Sequence, residues 1–187
     1  MSKKSAKIEK ILDVSIEVLR QEGDFGVSMR KVATLAEMSL SNVQYYFKNK
    51  DELLRAMADR YFQQCLDELA EQPELSDASE LKNFISAQLS HVYQVSDMCR
   101  IFREYWAIST RNEAIDAYLL AYYQSMASSL NKIFKPLAKD DVSVERAISV
   151  FIAFVEGYSI TARALPVDLE HITQSISSIV LIQLTGQ

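Results

Sequence analysis

The sequence has 187 residues, of which 49% are hydrophobic, enough for one medium domain or for a small domain joined to a larger one. Only four glycines and three prolines are present, so few turns and many helices are expected, and the composition favours an all-α fold. A net charge of −5 by itself argues against a nucleic-acid binder. The charge is unevenly distributed, however: residues 1–50 carry nine basic and six acidic side chains, so this part of the chain is positively charged.

Secreted and membrane-spanning classes are not expected. Cys65 and Cys99 are too few for a disulfide framework, and no charged-then-apolar signal segment opens the chain. The longest apolar candidates, near 144–160, are interrupted by charged side chains, so no stretch reaches the roughly 18 residues that cross a bilayer. We therefore expect a cytoplasmic protein with no membrane partner.

The first helix is predicted from about Ser5 to Gln21, with an apolar face that stops before Gly23 and Gly26. Lysines cluster at its start, and they fit either a solvated helix end or an arm that touches DNA phosphates. These lysines are Lys3, Lys4, Lys7 and Lys10.

Two short helices and the start of a third are predicted in residues 28–54. Ser28 and Ser39 are good N-cap residues, and each precedes apolar side chains at helical spacing. Asn49 followed by Glu52 has the form of a capping box, so a longer helix begins near Lys50. The apolar stripes of the two short helices are Val32, Leu35 and Ala36, and then Leu40, Val43, Tyr46 and Phe47.

The second short helix leaves hydrogen-bonding side chains outside its apolar stripe, on an element narrow enough for the DNA major groove, where base edges can be read. Basic side chains flank this helix where phosphates would lie. The pattern predicts DNA binding, and a small surface helix that only covers a core is the alternative. The polar side chains are Ser41, Asn42, Gln44 and Tyr45, and the cations are Arg30, Lys31, Lys48 and Lys50.

The remainder of the chain is predicted as six helices separated by polar breaks. The helix from Lys50 extends to about Glu71, long enough to connect the amino-terminal helices to the rest. The other five are predicted at about 76–95, 97–109, 112–134, 140–165 and 168–184.

The last two helices carry apolar residues on two sides, which indicates a partner in addition to the chain's own core. A symmetric dimer forming a four-helix bundle provides one, and it also places two recognition helices about one DNA turn, or a multiple of it, apart. A central helix buried within a monomer is the alternative. The predicted interface consists of Ile148, Phe151, Ile152, Val155, Ile172, Ile176 and Ile179.

Aromatic side chains crowd the middle helices, and several have the character of an apolar ligand cavity with hydroxyl tips. Ordinary core packing is the alternative for any one of them. The candidate pocket residues are Phe62, Tyr93, Phe102, Tyr105, Trp106, Tyr122, Met126, Phe151 and Tyr158.

Catalysis, metals and cofactors are not expected. His91 and His171 lie in separate predicted helices, and neither has a cysteine or carboxylate at metal-ligand spacing. Glycine-rich phosphate loops, the GxSxG turn and the HExxH pair are absent from the sequence.

The residues of the 28–54 segment resemble the amino-terminal signature of the TetR family of bacterial transcriptional regulators. The matching positions are Ser28, Val32-Ala33, Ser39, Tyr45-Tyr46-Phe47, Lys48-Asn49-Lys50 and Leu53-Leu54. The resemblance implies that Ser28 and Arg30 contact the DNA backbone or groove edge and that Tyr46 and Lys50 hold phosphates. It also implies that Leu40 to Asn42, Gln44 and Tyr45 face bases and phosphates.

Two positions depart from the family pattern. Glu37 stands where a glycine is usual in the turn, so a non-glycine residue is expected to adopt a left-handed backbone. Gln44 stands where the family often has tyrosine, and this position is expected to alter the operator sequence.

The resemblance implies an amino-terminal three-helix helix-turn-helix domain, residues 1–49, and a helical ligand-binding and dimerisation domain, residues 50–187. The implied partners are a double-stranded DNA operator, a small-molecule effector and a second copy of the chain. The implied function is a sequence-specific regulator, commonly a repressor released by its ligand, although activation is compatible with the same residues. The alternative is a helical dimeric interaction protein that keeps the fold without DNA binding. Residues 103–120 and 154–165 also resemble the carboxy-terminal part of the BetI-type subgroup.

Overall fold

The computed structural model describes residues 3–93, 97–162 and 164–186, and within them the regular structure is entirely helical. The predicted all-α fold is confirmed, with nine α-helices in this part of the chain, and none of them is both long and apolar enough to cross a membrane. The helices are α1 Lys3–Gly26, α2 Met29–Leu35, α3 Leu40–Tyr46, α4 Lys50–Ala70, α5 Ala78–Tyr93, α6 Asp97–Ser109, α7 Glu113–Phe134, α8 Asp141–Thr161 and α9 Leu169–Thr185.

Two helices end at positions that differ from the prediction. α1 extends to Gly26, but Gly23 has φ 70° and ψ −174°, so the helix is kinked there. α8 ends at Thr161 rather than at Leu165, because the chain turns ahead of Pro166, which cannot continue a helix.

The chain divides into two compact units. The first is Met1–Cys65 with Arg100–Tyr122, and the second is Leu66–Cys99 with Tyr123–Gln187. α4, α6 and α7 therefore contribute to both units. The boundary predicted between residues 49 and 50 falls inside the first unit, because the start of α4 and residues 100–122 pack with the amino-terminal helices.

The helix-turn-helix of the first unit rests on a closed apolar core. Ile11 and Leu19 of α1, Val32 of α2, Val43 of α3 and Leu53 of α4 are each 0% exposed. Full burial stabilises by about 1.5–3 kcal/mol for each such aliphatic side chain. The core therefore holds α2 and α3 in a fixed relation to α1 and α4.

The second unit is built on α5, α8 and α9, which pack against one another. The ring of Phe84 lies 5.7 Å from that of Phe134 and 5.8 Å from that of Phe151. The amide of Leu75 donates to the carbonyl of Ile133 at 3.0 Å, which ties the segment before α5 to the end of α7.

The turn between α2 and α3 is a Schellman motif with a glutamate at its left-handed position. Glu37 has φ 57°, its amide donates to Thr34 O at 3.1 Å, and the Met38 amide donates to Ala33 O at 2.9 Å. The turn therefore has the geometry that glycine usually provides, and the expectation of a left-handed non-glycine residue is confirmed.

The Glu37 side chain contacts α1. Its carboxylate lies 3.0 Å from Lys10 Nζ, with side-chain exposures of 83% for Glu37 and 46% for Lys10. An ion pair this exposed contributes only about 0–1 kcal/mol. The left-handed backbone costs a non-glycine residue about 1–2 kcal/mol, so the turn remains strained despite the pair.

Replacing Glu37 with glycine is expected to raise the free energy of unfolding by up to about 1 kcal/mol, because glycine adopts this backbone without a Cβ penalty. Urea denaturation followed by circular dichroism measures the change. Lys10→Ala is the control, since it removes only the ion pair. A Glu37→Gly protein less stable than Lys10→Ala would show that the carboxylate matters more than the strain.

Candidate nucleic-acid interface

The two short helices begin at the predicted serine caps. Ser28 Oγ accepts a hydrogen bond from the Lys31 amide, and Ser39 Oγ accepts one from the Asn42 amide, both at 3.2 Å. These bonds satisfy amides that have no partner within the helix. Both caps predicted from the sequence are confirmed, and the Ser28 hydroxyl is engaged in its own helix.

α4 begins with a variant of the predicted capping box. Asn49 Oδ1 accepts from the Glu52 amide at 2.9 Å, as the motif requires. The Glu52 carboxylate, however, accepts from the Lys48 amide at 2.9 Å, one residue before the cap. The cap therefore also orders the backbone of Lys48.

One face of α3 is exposed and polar. Ser41, Gln44 and Tyr45 are exposed, and so is Lys48 just beyond the helix, at positions i, i+3, i+4 and i+7. Tyr45 has 75% of its surface exposed. This recognition face, defined by these four residues, presents hydroxyl, amide and ammonium groups in one direction.

The other predicted base-contacting residues are less available. Leu40, Asn42 and Tyr46 are partly buried. The Tyr46 ring packs edge-on against that of Tyr45, with centroids 5.1 Å apart and planes at 84°. These residues support the recognition face from the side facing the core.

The four flanking cations differ in whether they form an ion pair within the chain. Arg30 and Lys48 are exposed, and neither forms an ion pair with any residue that the structure describes. Lys31 Nζ is ion-paired with Glu22, whereas Lys50 Nζ lies 2.8 Å from Asp24 Oδ1. The structure therefore places Lys31 and Lys50 on carboxylates of the chain itself.

Asp24 is the centre of a charged cluster that sequence reasoning missed. It is 9% exposed and lies immediately after the kink of α1. Lys50 Nζ also donates to its backbone carbonyl at 2.6 Å, while Arg111 Nη2 donates to Asp24 Oδ2 at 2.8 Å. The Asp24 amide donates to Glu104 Oε2 at 3.0 Å. The end of α1 is thereby joined to the start of α4 and to α6 with the turn that follows it.

Two further contacts strengthen this join. Asn112 Nδ2 donates to Asp51 Oδ1 at 2.9 Å, a second link between the α6–α7 turn and the first turn of α4. The Arg111 guanidinium carbon lies 5.4 Å from the centroid of the Phe25 ring. No spacing signal marks these partners, because Asp24 and Arg111 are 87 residues apart.

The ionisation of Asp24 reflects two opposing effects. Burial favours the neutral acid, but hydrogen bonds from Lys50 and Arg111, together with their charges, outweigh it and lower the pKa of Asp24. The carboxylate is therefore charged in the folded protein at any pH above the ordinary aspartate range.

The candidate ligand residues fall into separate groups. Phe62 stacks on Phe102 at 4.4 Å and contacts Tyr105 at 5.1 Å and Tyr122 at 4.9 Å, all within the first unit. Tyr105 is 0% exposed and its hydroxyl donates to Leu54 O at 2.6 Å, so its hydroxyl tip is engaged in core packing. Burial raises the pKa of Tyr105.

The other candidates differ in burial and in the unit to which they belong. Trp106 is 42% exposed, and Phe151 and Tyr158 are buried in the core of the second unit, against which Met126 packs. The side chain of Tyr93 lies outside the described residues. The structure thus assigns four candidates to an aromatic core in the first unit and three to the core of the second.

The second unit also contains a carboxylate that the sequence did not single out. The Tyr123 hydroxyl donates to Glu156 Oε1 at 2.6 Å. Burial raises the pKa of Glu156, and the hydrogen bond opposes that shift.

The predicted dimer residues differ in their burial within the single chain. Ile148, Phe151 and Ile176 are 6%, 5% and 2% exposed, so they are already buried in the core of the second unit. The periodicity that predicted them marks any buried face, whichever chain buries it. Of the others, Ile152, Val155 and Ile172 are partly exposed and Ile179 is 46% exposed.

Asp24→Asn is expected to lower the free energy of unfolding at neutral pH by about 1–3 kcal/mol, because Lys50 and Arg111 lose their charged acceptor. The folded pKa of Asp24 lies below the ordinary value of 3.8, so its stabilisation is complete above that value and is lost as pH falls through the lower one. Urea denaturation at a series of pH values should show the gap closing only in acid.

Asp13→Asn is the matched control for this prediction. Asp13 pairs with Arg60 at 2.7 Å, but its side chain is 61% exposed, so its removal should change stability little at any pH. A gap between wild type and Asp24→Asn that persists undiminished well below the ordinary aspartate pKa would contradict the assignment.

Comparison with known proteins agrees with this arrangement. Residues 11–57 match the tetR family of bacterial regulatory proteins. An uncharacterized HTH-type transcriptional regulator in the dhlA 5′ region of Xanthobacter autotrophicus is 50% identical over 186 residues, covering 97% of this chain and 92% of the relative.

Two more distant proteins extend the likeness along the chain. The HTH-type nicotine-responsive transcriptional repressor HdnoR of Paenarthrobacter nicotinovorans is 27% identical over 173 residues, covering 87% of each chain. The solved structure of Salmonella enterica GusR has the same fold, with a TM-score of 0.76 at 17% identity over 98% of this chain and 96% of that one. Because the 50% identical relative is matched over nearly the full length, the protein belongs to the TetR family of bacterial transcriptional regulators.

Proposed function

We propose that the protein binds a double-stranded DNA operator as a homodimer and represses transcription until a small-molecule effector releases it. The observation that carries the proposal is the recognition face of α3, which is polar, exposed and held on a rigid apolar core. An α-helix of this kind fits the major groove, where base edges carry a readable pattern of donors and acceptors.

Within this proposal the side chains have different tasks. The Gln44 amide can pair with an adenine edge through two hydrogen bonds, while Ser41 and the Tyr45 hydroxyl offer single donors or acceptors. Arg30 and Lys48, both exposed, are suited to phosphates. Lys31 is ion-paired with Glu22, so its role in this proposal is to orient α2 and not to contact DNA.

The proposed dimer uses the exposed parts of α8 and α9. Ile152, Val155, Ile172 and Ile179 remain from the sequence prediction, and Ile182, which is 50% exposed, joins them. Exposed aliphatic side chains on neighbouring helices are typical of a surface that another copy covers.

Effector release is proposed on two grounds. The relative HdnoR is named as nicotine-responsive, and the carboxy-terminal stretches 103–120 and 154–165 resemble the BetI-type subgroup.

Glu104 and Arg111, which contact Asp24, belong to α6 and the turn after it. A ligand that moved this segment would disturb the start of α4 without touching the recognition face.

Gln44→Ala and Lys48→Ala are expected to weaken operator binding in different ways. Gln44→Ala should cost about 1–3 kcal/mol on the preferred sequence and relax specificity at one base pair. Lys48→Ala should weaken binding to all sequences alike and reduce the slope of log affinity against log salt by about 0.9. Fluorescence anisotropy with DNA from the promoters of its own and neighbouring genes measures both.

Lys132→Ala, at an exposed position of α7, is the control and should bind like wild type. If the wild-type protein shows no salt-sensitive binding even at low ionic strength, the chain keeps the fold without DNA binding and the proposed function is wrong.

Ile179→Asp is expected to convert the dimer into monomers, because it buries a charge in the proposed interface. Sedimentation velocity measures the mass. Since Ile179 is 46% exposed in the single chain, the variant should still fold. Leu120→Asp on α7, 55% exposed, is the control; an unchanged mass for Ile179→Asp would place the interface elsewhere.

A further inference from the structure

Lys50 can bind either of two anions, the Asp24 carboxylate or a phosphate that approaches from solvent. In this structure its Nζ lies 2.8 Å from Asp24 Oδ1 and donates to the Asp24 carbonyl at 2.6 Å. The Lys50 side chain is 34% exposed, whereas that of Asp24 is 12% exposed. A phosphate that approaches from solvent can therefore reach Lys50 but not the carboxylate that holds it.

The position of Lys50 also suits a phosphate. It is the first residue of α4, where the helix dipole favours an anion, and the same turn also carries the carboxylates of Asp51 and Glu52. Lys48, exposed on the recognition face, flanks the same cap at Asn49. A phosphate bound beside Lys48 would lie next to the start of α4.

The cluster around Asp24 is balanced in charge. The cations Lys50 and Arg111 both pair with the Asp24 carboxylate, and the second carboxylate, Glu104, accepts from the Asp24 amide. If Lys50 leaves, Arg111 remains as a charged partner of Asp24 at 2.8 Å. If Arg111 leaves instead, Lys50 becomes the remaining cation on a buried carboxylate and is held more firmly.

We propose that Asp24 competes with an operator phosphate for Lys50 and that Arg111 determines the outcome of the competition. The inference rests on the proposed DNA binding and adds a means of control to it. With Arg111 on Asp24, Lys50 is released to the phosphate. When the α6–α7 turn withdraws Arg111, Asp24 retains Lys50, and the operator loses one phosphate contact.

The test is a set of variants whose effects differ in sign. Arg111→Ala should lower operator affinity about three- to tenfold and reduce the salt slope by about 0.9, the value for one phosphate. Adding Asp24→Asn to Arg111→Ala should restore both quantities, because no carboxylate then competes for Lys50. Arg111→Lys, which keeps the charge, should bind nearly like wild type.

A second arm leaves Asp24 unchanged, so that it does not depend on the stability of the Asp24 variant. Lys50→Ala should lower affinity and salt slope, and adding Arg111→Ala to it should have no further effect. Anisotropy titrations at several salt concentrations, on proteins shown to be folded at the assay temperature, measure all of these.

Each result decides between competition and simple structural support. If Arg111 and Asp24 only hold the fold together, the Arg111→Ala/Asp24→Asn protein will bind more weakly than either single variant, and the effects of Lys50→Ala and Arg111→Ala will add. Either result overturns the inference. A wild-type protein without salt-sensitive DNA binding would instead overturn the proposed function.

Discussion

A buried carboxylate needs charged partners, and in the first unit this requirement connects segments that are far apart in sequence. Asp24 obtains its partners from the start of α4 and from the turn after α6. Without Lys50 and Arg111, burial would favour its neutral form and would leave hydrogen-bonding groups unsatisfied. The position of α4 relative to α1, and with it the support of the recognition helix, therefore depends on charges contributed by a segment some 60 residues beyond it.

The parts of the fold that depend on neighbouring residues were predictable from the sequence. Serine caps, the start of α4 at Lys50 and the breaks between helices each follow from interactions within one turn, so a short stretch of sequence contains all the partners. The left-handed turn at Glu37 belongs to the same class, since a helix C-terminus followed at once by a capped helix leaves that residue little choice of backbone.

The parts that depend on distant residues were not predictable. Nothing around Asp24 or Arg111 indicates that the two side chains meet, and the sequence could assign Lys50 to a phosphate without showing that Asp24 also binds it. Hydrophobic periodicity has a related limit. It identified Phe151 and Ile176 as buried, which they are, but it does not distinguish burial in the chain's own core from burial against a second copy.

The contact between Tyr45 and Tyr46 affects the cost of binding as well as its chemistry. An exposed tyrosine ordinarily rotates freely in solution, and fixing it against DNA would cost about 0.5–1.5 kcal/mol of side-chain entropy. Here the Tyr45 ring already rests edge-on against its neighbour, with 75% of its surface open to solvent. If Tyr45 contacts a base as proposed, this packing would reduce the entropy that the side chain loses on binding.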